Sequence, residues 1–261
     1  MRQLLTLTWA VTFVAALMTA SSPAWACSDT TDCTVPTGTY RILDTPGATT
    51  TLIYAHGYKG KAAGVMKSRL RAYAQEKGLT LVALQSAGDD WAIPNVPTGG
   101  NYIPRDEIAY LTSVIEDVET RLGQTRADMV FVGFSAGGMF VSHIACTTDL
   151  RLHAFVAIAG TVWAPGPQRC TANPTPFIHL HGTNDKVVPM QGRPIGETRQ
   201  GDVMTFLTTL AQSRGPREIT LPDGEHVCDA PNRIAGSNVV LCLSEAGHGY
   251  QLDALSKLLP Q

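Results

Sequence analysis

Met129-Val130-Phe131-Val132-Gly133-Phe134-Ser135-Ala136-Gly137-Gly138-Met139-Phe140-Val141-Ser142-His143-Ile144-Ala145 is the stretch on which the reading of this chain turns. Its first four residues form an uninterrupted apolar run, the pattern of a strand buried on both faces, and the run stops at a glycine. Gly133 to Gly137 match G-x-S-x-G, and the residues from Gly138 onward suit a helix. A strand that turns at once into a helix holds its turning residue in a strained conformation, and small neighbours keep the two segments from colliding. Ser135 at that turn is a candidate nucleophile; the bland reading is a glycine-rich turn carrying an ordinary serine.

Working outward, similar apolar runs recur at Thr51 to Ala55, Leu79 to Leu84, Ala154 to Ile158 and Phe177 to Leu180, with an edge strand expected at Asn238 to Leu243. Helical patterns lie between them. The clearest spans Arg105 to Leu122, where Ile108, Leu111, Ile115, Val118 and Leu122 recur every three or four residues and are expected to line one face. Lys61 to Lys77 and Gly201 to Arg214 are the other helix candidates. Short apolar strands alternating with helices predict an α/β fold, a mostly parallel sheet with helices on both faces. Neither repeats nor an interdomain linker interrupt the pattern, so residues 27–261 read as a single domain.

A serine hydroxyl needs a base, and the base needs a carboxylate to hold its tautomer. In elbow-bearing sheets of this kind the chain order is serine, acid, histidine. Asp185 is the preferred acid because it lies in a polar turn, His181-Gly182-Thr183-Asn184-Asp185, directly after a strand. Asp202 and Asp223 sit where helix capping or solvation explains them. Of the later histidines, His248 between two glycines is the preferred base, and His226 beside Cys228 reads as a surface residue. Developing negative charge on a substrate oxygen requires N–H donors. The amide after the nucleophile, Ala136, is one; Tyr58, in the glycine-rich loop His56-Gly57-Tyr58-Lys59-Gly60, is the other. His179 and His181 share one strand face near Asp185, but no third metal ligand stands at a suitable spacing, so neither a metal nor any other cofactor is expected.

These motifs together resemble the secreted polyhydroxybutyrate depolymerase and feruloyl esterase group of α/β-hydrolases. The likeness runs from about Thr51 to Tyr250 and implies an α/β-hydrolase fold and a serine esterase with Ser135, Asp185 and His248 as its triad. Trp91 and Trp163 are candidates to line the acyl or alcohol pocket, the alternative being that a buried tryptophan belongs to the core. A linker and separate binding domain of the kind used on solid polyester have no place in this length, so soluble or oligomeric esters are the expected substrates. Composition and spacing do not separate a hydroxycinnamate from a hydroxyalkanoate. A peptidase or thioesterase would use the same residues, and a non-catalytic binding protein on this scaffold is the remaining alternative.

The ends of the chain bear on location. Met1 to Ala26 read as an export signal, with a short basic start, an apolar run and small residues at Ala24 and Ala26. Six cysteines, an even set in an exported chain, are expected to pair with neighbours: Cys27 with Cys33, Cys146 with Cys170, and Cys228 with Cys242. A rival use of Cys27 is lipid attachment, which would put the protein on a membrane. Lys+Arg 20 against Asp+Glu 22 give a net charge of -2, without like-charge runs, so nucleic acid and anionic lipid are not expected partners. A secreted or periplasmic location follows from these readings.

Overall fold

The computed structural model describes residues 27–215 and 232–256. The proposed export signal, Asp223, His226 and Cys228 lie outside them. Along the chain run β1 (Cys33–Val35), β2 (Gly38–Leu43), β3 (Thr51–Ala55), α1 (Ala62–Val65), α2 (Arg69–Glu76), β4 (Thr80–Leu84), α3 (Glu107–Leu122), β5 (Met129–Phe134), α4 (Ala136–Thr147), β6 (Ala154–Ile158) and β7 (Phe177–Gly182). A small hairpin of β8 (Pro194–Ile195) and β9 (Thr198–Arg199) follows, then α5 (Val203–Ala211), β10 (Asn232–Arg233), β11 (Val239–Ser244) and α6 (Leu252–Ser256).

The main sheet has the order β1-β2-β4-β3-β5-β6-β7-β11-β10 among the described residues. From β4 to β11 every neighbouring pair is parallel; the antiparallel pairs are at the two margins. Strand residues alternate between two cores, as the period of two requires. Ile53, Phe131 and Phe155 face α3, α4 and α5, whereas Leu52, Val130 and Val156 face α1, α2 and α6. After β3 the chain crosses to β4 on one side and then to β5 on the other. The loops leaving β3 and β5 therefore open side by side, Ala55 in register with Gly133, in the crevice where parallel sheets bind ligands.

The differences from the sequence reading have local causes. Lys61 to Lys77 forms two helices because the Ser68 hydroxyl accepts from Leu70 N–H at 3.2 Å and starts a new one. In α3 the buried stripe runs through Glu107, Tyr110, Leu111, Val114, Ile115 and Val118, while Ile108 is exposed. A charged residue fills the expected apolar position: Glu107 pairs with Arg105 at 2.7 Å and accepts from Ala92 N–H at 2.9 Å. β11 is not the edge, since β10 pairs outside it. The β1–β2 hairpin went unanticipated.

Cys27–Cys33 and Cys146–Cys170 are bonded as expected, and Cys242 is also in a disulfide. Its expected partner, Cys228, falls outside the described residues. Cys27, the rival position for lipid attachment, takes part in the first of these bonds. No helix among the described residues is long and apolar enough to cross a membrane.

Candidate active site

Ser135 sits at φ 55° and ψ -119°, a conformation costly to any residue with a Cβ, between the end of β5 and the start of α4. Its amide donates to Ile158 O at 2.9 Å, and its hydroxyl makes no capping bond to the helix. The flanking glycines have a steric cause. A Cβ on Gly133 would stand 2.1 Å from Gly137 O, and one on Gly137 would stand 2.0 Å from Ala55 O. Strand, helix and the β3 loop thus approach closely only because both positions lack side chains.

Asp185 and His248 come from the loops after β7 and β11, which are laced together. Thr183 N–H donates to Ser244 O at 2.8 Å, Asn184 N–H to Ala246 O at 3.1 Å, and Asn184 Nδ2 to Glu245 O at 2.7 Å. Gly182 permits this: a Cβ there would lie 2.2 Å from Ala246 O and 2.6 Å from Gly247 O. His248 Nδ1 then meets Asp185 Oδ2 at 2.7 Å, while Asp185 Oδ1 accepts from Val187 and Val188 N–H at 2.8 and 2.9 Å. The His248 ring packs 4.8 Å from that of Phe134, the residue just before Ser135, and Tyr250 stacks on the same ring at 4.3 Å. No hydrogen bond joins Ser135 to His248 among the described residues; in unliganded sites such bonds are commonly long and tighten with substrate.

Behind Asp185 the two strand histidines have fixed tautomers. His181 Nε2 lies 2.8 Å from Val188 O, an acceptor, so it must carry the proton. Its Nδ1 therefore accepts, which makes His179 Nε2, 2.9 Å away, the donor. Both rings are fully buried, and burial holds both pKa values below the ordinary histidine value. This neutral pair fastens the Val188 carbonyl, and with it the turn whose amides hold Asp185. Sequence spacing put the two rings on one face but could not show this bond.

The β3 loop is equally fixed. His56 Nδ1 bonds Gly57 O at 2.9 Å, its Nε2 accepts from Ser86 N–H at 3.3 Å, and Lys59 N–H donates to Asp89 O at 2.7 Å. Among the described residues neither Tyr58 N–H nor Ala136 N–H has an acceptor. Trp91 is not a pocket wall. It is fully buried beneath this loop, donating from Nε1 to His56 O at 2.8 Å and stacking on Phe140 at 4.8 Å, so it supports the loop rather than touching a ligand. Trp163 does line the cavity of about 380 Å³ onto which Ser135, Ala136 and Tyr58 open, with Met139, Val187 and Asp90. That volume suits a small ligand.

Two titrating groups beside this loop contribute opposite acid sensitivities. Burial lowers the pKa of His56 to about 4, and burial, aided by Glu107 and Asp89, raises that of Asp90 to about 6. Between pH 6.5 and 4 the unfolded chain protonates His56 first, so that stability is present above pH 6.5 and is lost on acidification. Asp90 acts oppositely, because the folded state holds its proton up to about pH 6. Asp90→Asn is therefore expected to lose about 1 kcal/mol more stability than wild type between pH 7 and 5, read by urea unfolding at both values.

Solved structures match this fold over most of the chain. Esterase PE8 aligns with a TM-score of 0.53 at 21% identity, covering 82% of this chain and 93% of that one. A phospholipase/carboxylesterase from Dyadobacter fermentans gives 0.55 at 15%, covering 86% and 95%. The chain has the α/β-hydrolase fold. Within this hydrolase fold, residues 105–203 match the phospholipase/carboxylesterase family, a stretch that holds Ser135 and Asp185 and ends before His248. The protein named putative esterase NocK, from Nocardia uniformis subsp. tsuyamanensis, is 25% identical over 164 residues, 60% of this chain and 47% of its own length. Feruloyl esterase C of Emericella nidulans is 27% identical over 89 residues, 33% of this chain and 32% of its own. The chain thus matches about half, and about a third, of the length of these relatives.

Proposed function

We propose that this protein is an exported serine hydrolase that cleaves carboxylic esters, of feruloyl or short hydroxyalkanoate type, through an acyl-enzyme. The observation that carries the reading is the 2.7 Å bond between His248 and Asp185, 63 residues apart, beside a serine in a strained elbow. Esterases among the relatives and the structural neighbours support it, as does the match to the carboxylesterase family. The feruloyl esterase resemblance supports the aromatic acyl class. Export is supported by Cys27–Cys33 and Cys146–Cys170, since such bonds persist in oxidising compartments.

In the proposed mechanism His248 Nε2 takes the Ser135 proton as Oγ attacks the ester carbonyl. Tyr58 and Ala136 N–H groups receive the oxyanion, and His248 returns the proton to the departing alcohol. Water repeats the cycle and frees the acid. Asp185, acceptor-only when ionised, keeps the proton on His248 Nδ1, so Nε2 has its lone pair for the serine.

The test is covalent labelling with a fluorophosphonate, followed by mass mapping. A single adduct at Ser135 is expected, with hydrolysis of feruloyl or hydroxybutyryl esters outpacing amides and thioesters. An unlabelled Ser135 would favour a binding protein on a hydrolase scaffold.

The histidine pair gives a second expectation. His181→Phe removes the bond to Val188 O and is expected to cut kcat about a hundredfold with little change in KM, because it displaces the acid by about an ångström. His181→Gln, which can still donate to Val188 O, is expected to recover most of that loss. Equal losses in both variants would assign His181 to packing alone.

A further inference from the structure

Beside the cavity at Ser135 lies a second one, of about 220 Å³, walled by Met139, Trp163, Ile93, His143, Thr147 and Pro167 among others. The two cavities share Met139 and Trp163 as walls. Ser135, Met139, His143 and Thr147 follow one another at intervals of four along α4 and its cap, so they form one inclined ridge of the helix. Both cavities are therefore walled by this ridge, which starts at the nucleophile and rises about 18 Å to the end of the helix.

The second cavity is framed by two loop segments, one at Ile93, Pro94 and Asn95 and the other from Val162 to Pro167. Asn95 Nδ2 donates to Pro165 O at 3.0 Å and ties these walls together. The Cys146–Cys170 bond anchors the second segment to the end of α4. Among the described residues no Asp, Glu, Lys or Arg lines the chamber, and burial keeps the His143 ring from taking a proton readily. An ionic group would find no counter-charge there, whereas an alkyl chain or unsubstituted ring would be well accommodated. The partition is suited to yielding, because Met139 is unbranched and its thioether adapts to irregular contacts.

We propose that this chamber is the distal subsite of the same site. It receives the apolar, uncharged end of an ester whose acyl or alcohol chain is too long for the cavity at Ser135, with Met139 as the movable partition. The inference rests on the ester-hydrolase reading and extends its substrates beyond feruloyl and short hydroxyalkanoate esters to esters carrying a medium-length apolar chain.

The test compares wild type with Thr147→Phe and Pro167→Phe, which bring a phenyl ring into the chamber from the helix and from the second loop segment, each checked for folding by thermal melting. Acyl chains are compared as p-nitrophenyl butyrate and octanoate, and alcohol chains as butyl and octyl acetate. Each buried methylene is worth about fourfold in kcat/KM. Wild type is expected to favour the octyl member of one series by at least about tenfold, and that series identifies which side of the ester enters. Both variants are expected to bring the ratio back towards one. A wild type with no such preference, or a ratio untouched by both substitutions while butyrate is still cleaved, would overturn the subsite and leave the esterase reading standing. If no ester is cleaved at all, the esterase reading fails and the chamber is judged by the change in tryptophan emission on decanol titration, Trp163 lining the chamber and Trp91 being fully buried. A saturable change lost in both variants supports it, and a change that is absent or equal in all three proteins overturns it.

Discussion

Ser135→Ala is expected to lower kcat for a p-nitrophenyl ester about a million-fold, to the residual rate provided by binding and the oxyanion donors. KM should move little, since the lost interaction exists only once the carbonyl is attacked. The substitution should leave the fold intact. Alanine keeps the Cβ that sits against Gly57, and the amide bond to Ile158 O is untouched. A companion variant separates chemistry from strain. Ser135→Gly removes the same hydroxyl but relieves a positive φ of 55°, so it should be as inactive as the alanine variant and more stable by about 1 kcal/mol in urea unfolding. A Ser135→Ala enzyme within tenfold of wild type would refute the nucleophile assignment. A glycine variant no more stable than the alanine one would mean that the elbow stores no strain at this residue.

The central strands were legible because a strand covered on both sides is mostly apolar, with buried polar positions such as Thr51, His179 and His181 as its exceptions. Ile53 and Leu52 face opposite cores, yet neither can be polar, and the run Thr51 to Ala55 is read end to end. At the sheet margin that constraint lapses. In β2, Gly38–Leu43, only Tyr40 and Ile42 are buried, and alternation over so short a stretch resembles loop sequence. Glu107 escaped for a different reason: its burial depends on Arg105 and the Ala92 amide, partners that periodicity does not register.

The candidate site divides along the same line. Ser135 is announced by its immediate neighbours, since Gly133 and Gly137 are demanded by contacts within the turn itself and with the next strand. Asp185 and His248 were reached by chain order and loop position. The lacing that joins them, through Gly182, Thr183 and Asn184, is a contact between loops some 61 residues apart and leaves no local mark. Trp91 shows the opposite error. An aromatic residue near the site suggested a pocket wall, but the indole N–H found a buried carbonyl, and that bond places the ring under the loop.

Asp185→Asn is expected to reduce kcat about ten-thousand-fold while leaving the fold in place, and the surrounding hydrogen bonds say why. Oδ1 is held by two donors, the amides of Val187 and Val188. An asparagine must put its carbonyl oxygen there, because its NH₂ group would face two N–H groups and satisfy neither. The NH₂ is then forced into the position of Oδ2, 2.7 Å from His248 Nδ1. Facing a donor, Nδ1 becomes the acceptor and the ring proton moves to Nε2, the nitrogen that has to take the proton of Ser135. The base is thus disabled by its tautomer, with the ring still in place. Thermal midpoints should stay close to wild type, and fluorophosphonate labelling of Ser135 should slow in parallel with ester hydrolysis, since both need the same deprotonation. Asp185→Ala, which frees the ring from either tautomeric preference but leaves the two amides unpaired, should instead lower stability by about 1 to 3 kcal/mol. If Asp185→Asn retained more than about a tenth of wild-type kcat, the carboxylate would be a structural tie between two loops, and the tautomer argument would fall.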